Sequence, residues 1–478
     1  MDFDLTEEQQ LLKDSVEGFL ADTYDFESRK KIAALPGGWS PDVWAKFTSH
    51  HGDAQEAERE FIRMLAADLD RERKTIRKDD PQLWGSLHTL RRGFKHINAT
   101  FKMAQFAPAN SLNPKLWDDF GANILRVVRQ VHYSTHNGNS IDLVLFLNGI
   151  PVATIELKTE TTQSIEQAMR QYRKDRLPRD PETNSEEPLL GFGRRSLVHF
   201  ALSSDEVRMT TKLDGDKTRF LPFNRGISDG KGGAGAGNPA DVKRGHATAY
   251  FWYEVLDCKT FMDILGKFIS IEVKESAKLK TGKKTLTPAL LFPRYHQLDC
   301  VNDLLTATLK EGVGHTYLVQ HSAGSGKSNT IGWTAHRLST LFDANNKKIF
   351  TSVIVITDRR VLDQQLQLTI KQFESTPGVV MKIDEDSTQL AKALDGEAKI
   401  IVTTLQKFPF VLGKIGSMKN RSFAIMIDEA HSSQSGKSAI QLREALSTAG
   451  LDDEAEEIPE SGEDEPEISS EEIIAKLL

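Results

Sequence analysis

Apolar residues recur in two different rhythms along this chain of 478 residues. Between Asn123 and Phe220 they come in short runs separated by turn-forming residues: Ile124 to Tyr133, Asp142 to Leu147, Val152 to Leu157, Val198 to Leu202 and Val207 to Thr211. Runs of that length predict strands. Helical spacing appears at Thr161 to Arg173 and Thr260 to Val273, so the region reads as a mixed α/β domain. From Gln297 onward, short apolar runs at Tyr317 to Val319, Val353 to Thr357, Ile400 to Thr403 and Ala424 to Ile427 alternate with helical stretches. That alternation predicts a parallel, doubly wound sheet. Near the start, Leu11, Leu12, Val16, Phe19 and Leu20 predict an amphipathic helix over Thr6 to Leu20.

The punctuation between these elements suggests domain limits. Asp229 to Pro239 is dense in glycine and reads as a surface excursion, whereas the lysine- and threonine-rich Lys274 to Thr287 reads as a hinge. The expected organisation is an N-terminal helical segment over 1–48, one α/β domain over 49–275, a second over 276–450 and an acidic tail over 451–478. No internal repeat is visible.

Composition narrows the class of protein. Two cysteines, Cys258 and Cys300, make neither a disulfide framework nor a zinc motif, which points to a reducing compartment. No apolar run is long enough to cross a bilayer and the N-terminus lacks a signal segment, so a soluble, cytoplasmic protein is expected. The net charge of −7 hides an asymmetry: from Leu451 onward there are twelve acidic residues and one lysine, which leaves the preceding 450 residues at +4. A mildly basic body, with basic runs at Arg71 to Arg77 and Arg170 to Arg179, is compatible with a polyanionic partner.

The strongest chemical signal is Gln320-His-Ser-Ala-Gly-Ser-Gly-Lys-Ser328, flanked by an apolar run, Thr316 to Gln320, and a helical stretch, Asn329 to Leu338. Gly324, Ser325 and Gly326 allow the backbone to wrap phosphates, Lys327 brings a point charge, and Ser328 offers a hydroxyl to Mg²⁺. About a hundred residues later Asp428-Glu429-Ala-His431 closes a strand-like run, Phe423 to Ile427. Asp428 is placed to hold the Mg²⁺ and Glu429 to polarise the attacking water. ATP and Mg²⁺ are the expected cofactors.

A second constellation lies on a hairpin. The runs Ile141 to Leu147 and Pro151 to Lys158 flank Asn148-Gly149, a hairpin signal. Glu156 and Lys158 share one strand face. Asp142 stands opposite Glu156 if the connection has three residues, Asn148 to Ile150, but opposite Ile155 if it has two. In the first register two carboxylates can hold Mg²⁺ while Lys158 orients or activates water, a set suited to phosphodiester hydrolysis. The charges interrupt apolar strands, where they are costly unless paired or metal-bound. The following helix, Ser164 to Arg176, carries Gln167, Arg170, Gln171, Tyr172, Arg173 and Lys174, a polar face suited to a nucleic-acid backbone.

These stretches resemble a known family. From about Phe94 onward the chain is similar to the restriction (motor and nuclease) subunit of type I restriction-modification enzymes. The similarity runs through Val128-Arg-Gln130, the Asp142/Glu156/Lys158 hairpin, Gln171 to Asp175, Arg219 to Asn224, Gly232 to Pro239, Pro293 to Gln297, Gln320 to Ser328, Thr357 to Arg360, Thr403 to Phe408 and Asp428 to Ser433. The resemblance implies a mixed-sheet PD-(D/E)xK nuclease followed by one RecA-like P-loop ATPase lobe. It implies that Gln297 reads the adenine and that Gln171, Tyr172, Arg359, Arg360 and Lys407 lie near double-stranded DNA. Methyltransferase and specificity subunits are the implied partners. The family's Gln-x-x-x-Tyr pair is altered here, with Gln167 five residues before Tyr172. Motifs of the second motor lobe do not follow, so an incomplete motor is expected. Met1 to Phe47 resembles instead the N-terminal helix of acyl-CoA dehydrogenases. Two other readings stay open: a DNA-binding ATPase without nuclease activity, and an inactive fragment.

Overall fold

A computed structural model of the chain describes residues 54–70, 85–96, 99–158, 164–228, 234–235, 237–277, 284–322, 324–357, 398–404 and 421–428, with scattered positions between 366 and 393. The expected N-terminal helix, the acidic tail and most of the glycine-dense loop lie outside the described residues. The chain divides into two compact units, Met1–His296 and Gln297–Leu478.

The first unit opens with helices α1 (Ala54–Leu69) and α2 (Gly85–Arg92), a short hairpin of β1 (Phe94–His96) and β2 (Ala99–Phe101), and helix α3 (Pro114–Gly121). Phe61, Phe94 and Phe101 pack ring on ring, with centroids 5.1–5.5 Å apart. A six-stranded mixed sheet follows, ordered β3-β4-β5-β6-β7-β8. Its strands are β3 (Leu125–His132), β4 (Ser140–Leu147), β5 (Ile150–Leu157), β6 (Val198–Leu202), β7 (Val207–Thr210) and β8 (Leu221–Pro222), with α4 (Ile165–Lys174) crossing between β5 and β6. That crossover makes β5 and β6 the parallel pair, while the other neighbours are antiparallel. β6 is buried along its whole length, as a central strand covered on both faces must be. The five apolar runs read from the sequence match β3 to β7 closely.

Two expectations for this unit change. The stretch Thr260 to Val273 is not one helix. Helix α5 (Cys258–Asp263) is capped by the Asp257 side chain and passes into a π-helical turn, Ile264–Phe268. Strand β11 (Ser270–Ala277) then begins, because Ile269, Ile271 and Val273 alternate with period two and that rhythm prevails over the helical spacing. The Lys274–Thr287 stretch is no open hinge either. Its ends belong to β11 and β12 (Lys284–Leu291), paired antiparallel from Ser270↔Leu291 to Ala277↔Lys284 within the first unit. Among the described residues between β8 and α5 are a two-residue pairing, β9 (Ile227–Ser228) with β10 (Ala234–Gly235), and a π-helical turn, Phe251–Val255.

In the second unit, α6 (Tyr295–Glu311) leads to the glycine loop and α7 (Lys327–Leu338) follows it. A four-stranded parallel sheet is ordered β14-β15-β13-β16, from β13 (Ser352–Thr357), β14 (Val380–Lys382), β15 (Ile400–Thr404) and β16 (Phe423–Ile427). The alternating pattern from Gln297 is thus a parallel sheet, with one difference. Thr316 to Gln320 forms no strand, and Tyr317, Leu318 and Val319 stand exposed at 39, 58 and 41%. β-rich composition fits a residue to a sheet, but a strand exists only through pairing, and no described strand lies beside this one.

Candidate functional sites

The hairpin places two carboxylates together by a route different from the expected one. Asn148 and Gly149, at φ +49 and +84, form a two-residue turn that pairs Leu147 with Ile150. By itself this register would carry Asp142 to the wrong face. A bulge intervenes: Phe146 pairs with Pro151 but Leu145 with Ala153, so β5 holds one extra residue, Val152. Beyond it Leu143 pairs with Ile155, which brings Asp142 opposite Glu156.

Glu156 is 1% exposed, deep in the sheet. Its Oε1 accepts from Arg176 Nε at 2.9 Å, while its Oε2 is buried without a hydrogen-bond partner. Burial, then the Asp142 carboxylate, pushes Glu156 up to about 8, and Arg176 pulls the other way. Asp142 Oδ2 accepts from the Leu157 backbone N–H at 2.8 Å and Oδ1 from Gln130 Nε2 at 3.2 Å. Lys158 follows β5 and is half-buried, two residues beyond Glu156 and on its face by strand alternation.

Arg176 is a residue that motif reading passed over, since it sits in an undifferentiated basic run. Its placement follows from two rungs. Tyr172 OH lies 2.8 Å from Thr154 Oγ1, and Arg176 reaches Glu156. Arg176 lies two residues past the end of α4, its N–H donating to Gln171 O at 2.9 Å, while Thr154 and Glu156 are two apart on one face of β5, so both rungs form between the end of α4 and that strand. Thr154 Oγ1 also meets His199 Nδ1 at 2.7 Å, and burial pushes His199 down to about 3. The ring is therefore neutral near pH 7.

This corrects the expected DNA-facing role of Tyr172. The side chain is fully buried among Ile141, Val144, Leu190 and Leu213, so it cannot touch a nucleic-acid backbone. Gln171 is half-buried, with Oε1 enclosed and unbonded. The exposed residues of α4 are Glu166, Gln167, Arg170 and Lys174, and Lys174 pairs with Asp216 at 2.8 Å.

Two hard oxygen ligands, one bearing an orphaned buried oxygen, fit a magnesium-type cation, which keeps several waters and asks for one or two protein carboxylates. Among the described residues no group of three or more His, Cys, Asp or Glu side chains converges.

In the second unit, Gly324 and Gly326 adopt φ +74 and +88, backbone states that side-chain-bearing residues resist. Gly326 caps α7, and its carbonyl accepts from Asn329 N and Thr330 N. Lys327 and Ser328 open that helix, where free amides and the helix dipole favour an anion. The Gln297 amide donates to Ser325 O at 3.2 Å and to Gly326 O at 3.0 Å. The Gln297 amide nitrogen is thereby turned towards the loop. Asp428 extends the β13–β16 pairing, its N–H donating to Ile356 O at 2.9 Å, and α7 packs on those two strands. Thr357 Oγ1 and Thr403 Oγ1 are buried without partners at the carboxyl ends of β13 and β15. Glu429, Arg359, Arg360 and Lys407 lie outside the described residues.

Comparison with known proteins divides the chain in the same order. Residues 43–218 match the family described as type I restriction enzyme R protein N terminus, and residues 296–451 match the SWI2/SNF2 ATPase family. The type I restriction enzyme HindI endonuclease subunit of Haemophilus influenzae is 25% identical over 340 residues, which cover 67% of this chain and 29% of that protein. A putative type I restriction enzyme MjaIXP endonuclease subunit of Methanocaldococcus jannaschii is 26% identical over 345 residues, covering 67% and 30%. A C-terminal part of a putative MpnIIP endonuclease subunit of Mycoplasma pneumoniae is 30% identical over 134 residues, 26% of this chain and 61% of that protein. The chain spans less than a third of the length of the first two. With two family matches in order and relatives of one kind covering two thirds of it, the chain is a relative of the endonuclease (R) subunits of type I restriction enzymes.

Proposed function

We propose that the first unit is a Mg²⁺-dependent DNA nuclease of the PD-(D/E)xK kind, and that the second is a RecA-like lobe binding ATP and Mg²⁺. Together they would serve ATP-dependent translocation and cleavage of double-stranded DNA, in a restriction complex with methyltransferase and specificity subunits. One observation carries the nuclease reading. A fully buried glutamate with an orphaned oxygen faces an aspartate across a bulged hairpin, an arrangement that raises the energy of both charges, that Arg176 offsets at Oε1 alone and that a second cation at Oε2 would relieve.

In this reading Asp142 and Glu156 hold the cation, Arg176 keeps Oε1 of Glu156 occupied so that Oε2 is the ligating atom, and Lys158 orients water or a phosphate oxygen. A bound Mg²⁺ supplies Lewis-acid activation of water and neutralises charge at the phosphodiester. In the second unit Lys327 and the amides at the start of α7 bind phosphates, Ser328 and Asp428 hold the cation, and Glu429 polarises water. Gln297 acts on the loop it braces. Arg170 replaces Tyr172 as the DNA-facing candidate of α4, while Arg359, Arg360 and Lys407 remain proposed DNA contacts.

The Arg176–Glu156 ion pair favours a second reading, in which the hairpin charges satisfy one another and the unit only binds DNA. Cleavage of linear and supercoiled DNA with Mg²⁺ and ATP separates the two. The nuclease reading expects Asp142→Asn and Glu156→Gln each to lose cleavage by ~10²-fold or more, since each removes a metal ligand. Equal cleavage by the parent and Glu156→Gln would sink it. For the second unit, Lys327→Ala should lose binding of a fluorescent ATP analogue, and retention of that binding would remove the nucleotide site.

A further inference from the structure

Gln130 breaks a local rule beside the carboxylates. It lies in the middle of β3 at φ +48, a left-handed conformation that an L-residue other than glycine, asparagine or aspartate reaches only at a cost. The ladder is regular on either side, with Arg129 opposite Leu143 and Val131 opposite Ile141, which puts Gln130 across from Asp142. The residue is exposed, so no core packing compensates the strain. What it gains is two hydrogen bonds: Ser140 Oγ donates to its Oε1 at 3.1 Å, and its Nε2 donates to Asp142 Oδ1 at 3.2 Å. The serine fixes which end of the amide faces the aspartate. With Leu157 N on Oδ2, Asp142 then has one donor on each oxygen, which sets the plane of its carboxylate and leaves a lone pair on each for a cation.

We infer that Gln130 is the positioning residue of Asp142, a strained strand residue retained because its amide orients a metal-ligating carboxylate. This rests on the nuclease reading above. Residues behind a metal ligand typically matter about 10- to 100-fold in metal affinity or activity. The competing account is that the kink merely blunts β3 as an edge strand.

The test uses the full chain and two variants, Gln130→Asn and Gln130→Gly. Both tolerate the left-handed backbone; Gln130→Gly has no side-chain amide, and Gln130→Asn carries it on a side chain one methylene shorter. Mn²⁺ binding is followed by calorimetry beside thermal unfolding and cleavage kinetics. Positioning predicts a Tm at or near the parent's, Mn²⁺ affinity and kcat lower by about 10- to 100-fold, and an unchanged KM for DNA. Unchanged Mn²⁺ affinity in the two variants overturns the inference, whatever happens to Tm. Asp142→Asn is measured alongside. If the parent binds Mn²⁺ no better than Asp142→Asn, the nuclease reading falls and takes this with it. If Asp142-dependent binding persists undiminished in the Gln130 variants, only the role of Gln130 falls.

Discussion

The two units build their candidate sites by opposite means. In the second, the phosphate-binding part is local: two glycines at positive φ, a lysine and a serine at the first turn of a helix, all within a few residues of chain, with Gln297 and Asp428 coming from elsewhere. In the first the site is assembled from four separate segments. Gln130, Asp142, Glu156 and Arg176 are distant in sequence and meet only because the sheet register and the docking of α4 bring them together. A local site tolerates change in the surrounding fold but not in its own backbone. An assembled site inverts this, and it also stores the cost of burying its charges, which the second unit avoids by working at a helix end.

The largest expected effect breaks the comparison at that stored cost. Glu156 is raised to about 8, chiefly by burial, whereas an unfolded glutamate ionises near the usual carboxylate value. Between those two values the folded state holds a proton that the unfolded state has released, so stability falls as pH rises through that window. Without divalent cations, the Tm of the first unit should drop by several degrees between pH 6 and pH 9. Glu156→Gln should flatten that slope, and Mn²⁺ should restore the parent at high pH by binding only the folded state. A parent melting profile as flat as that of Glu156→Gln would show that the charge is not buried as described.

The local site should break through its backbone. Alanine at Gly326 would have to hold φ +88, and its Cβ would stand 2.5 Å from Gln297 Nε2. Strain of ~1–3 kcal/mol, joined to that collision, predicts a loss of ATP affinity on the order of 10- to 100-fold with little change in melting of the first unit. Gln297→Ala, which removes the colliding amide, should recover part of the loss. No recovery would mean that strain alone decides.

These contrasts also explain what could be read from the sequence. Lys327, Ser328 and the glycines were legible because a short motif dictates their conformation directly. The Asp142/Glu156 hairpin was legible as a composition, but its register was not, because the only local mark of the bulge at Val152 is Pro151, a residue that strands also accept at their first positions. Arg176 was hidden in a basic run, and it lies past the end of α4, where neither a helical spacing nor a motif marks it. The ends of the Lys274–Thr287 stretch belong to β11 and β12 although their lysine-rich composition points to a hinge, because composition says nothing of the period-two rhythm of Ile269, Ile271 and Val273 that begins β11.

A smaller effect probes the rung that docks α4. Tyr172→Phe removes one buried hydroxyl from the Thr154–His199 cluster, at a cost of about 1–2 kcal/mol. Thr154 keeps His199 as a partner, so the fold should survive. Because Tyr172 is buried, DNA affinity and its salt dependence should not change, whereas cleavage should fall modestly as Arg176 loses registry with Glu156. A shallower salt slope in this variant would return Tyr172 to the DNA surface.

The smallest effect separates the turn from the register of the hairpin. Gly149 sits at φ +84, yet an added Cβ would meet nothing within 4 Å, so alanine there should cost only backbone strain of ~1–2 kcal/mol. Its neighbour Asn148 is tied down independently, accepting from Ile124 N at 2.6 Å and donating to Met103 O at 2.7 Å. The bulge between Leu145 and Phe146, not the turn, aligns Asp142 with Glu156. Gly149→Ala should therefore lower Tm slightly while leaving Mn²⁺ affinity and cleavage per folded molecule as in the parent. A variant that folds fully but loses Mn²⁺ binding would mean that the turn transmits its geometry through the bulge, and that the assembled site is more local than its segments suggest.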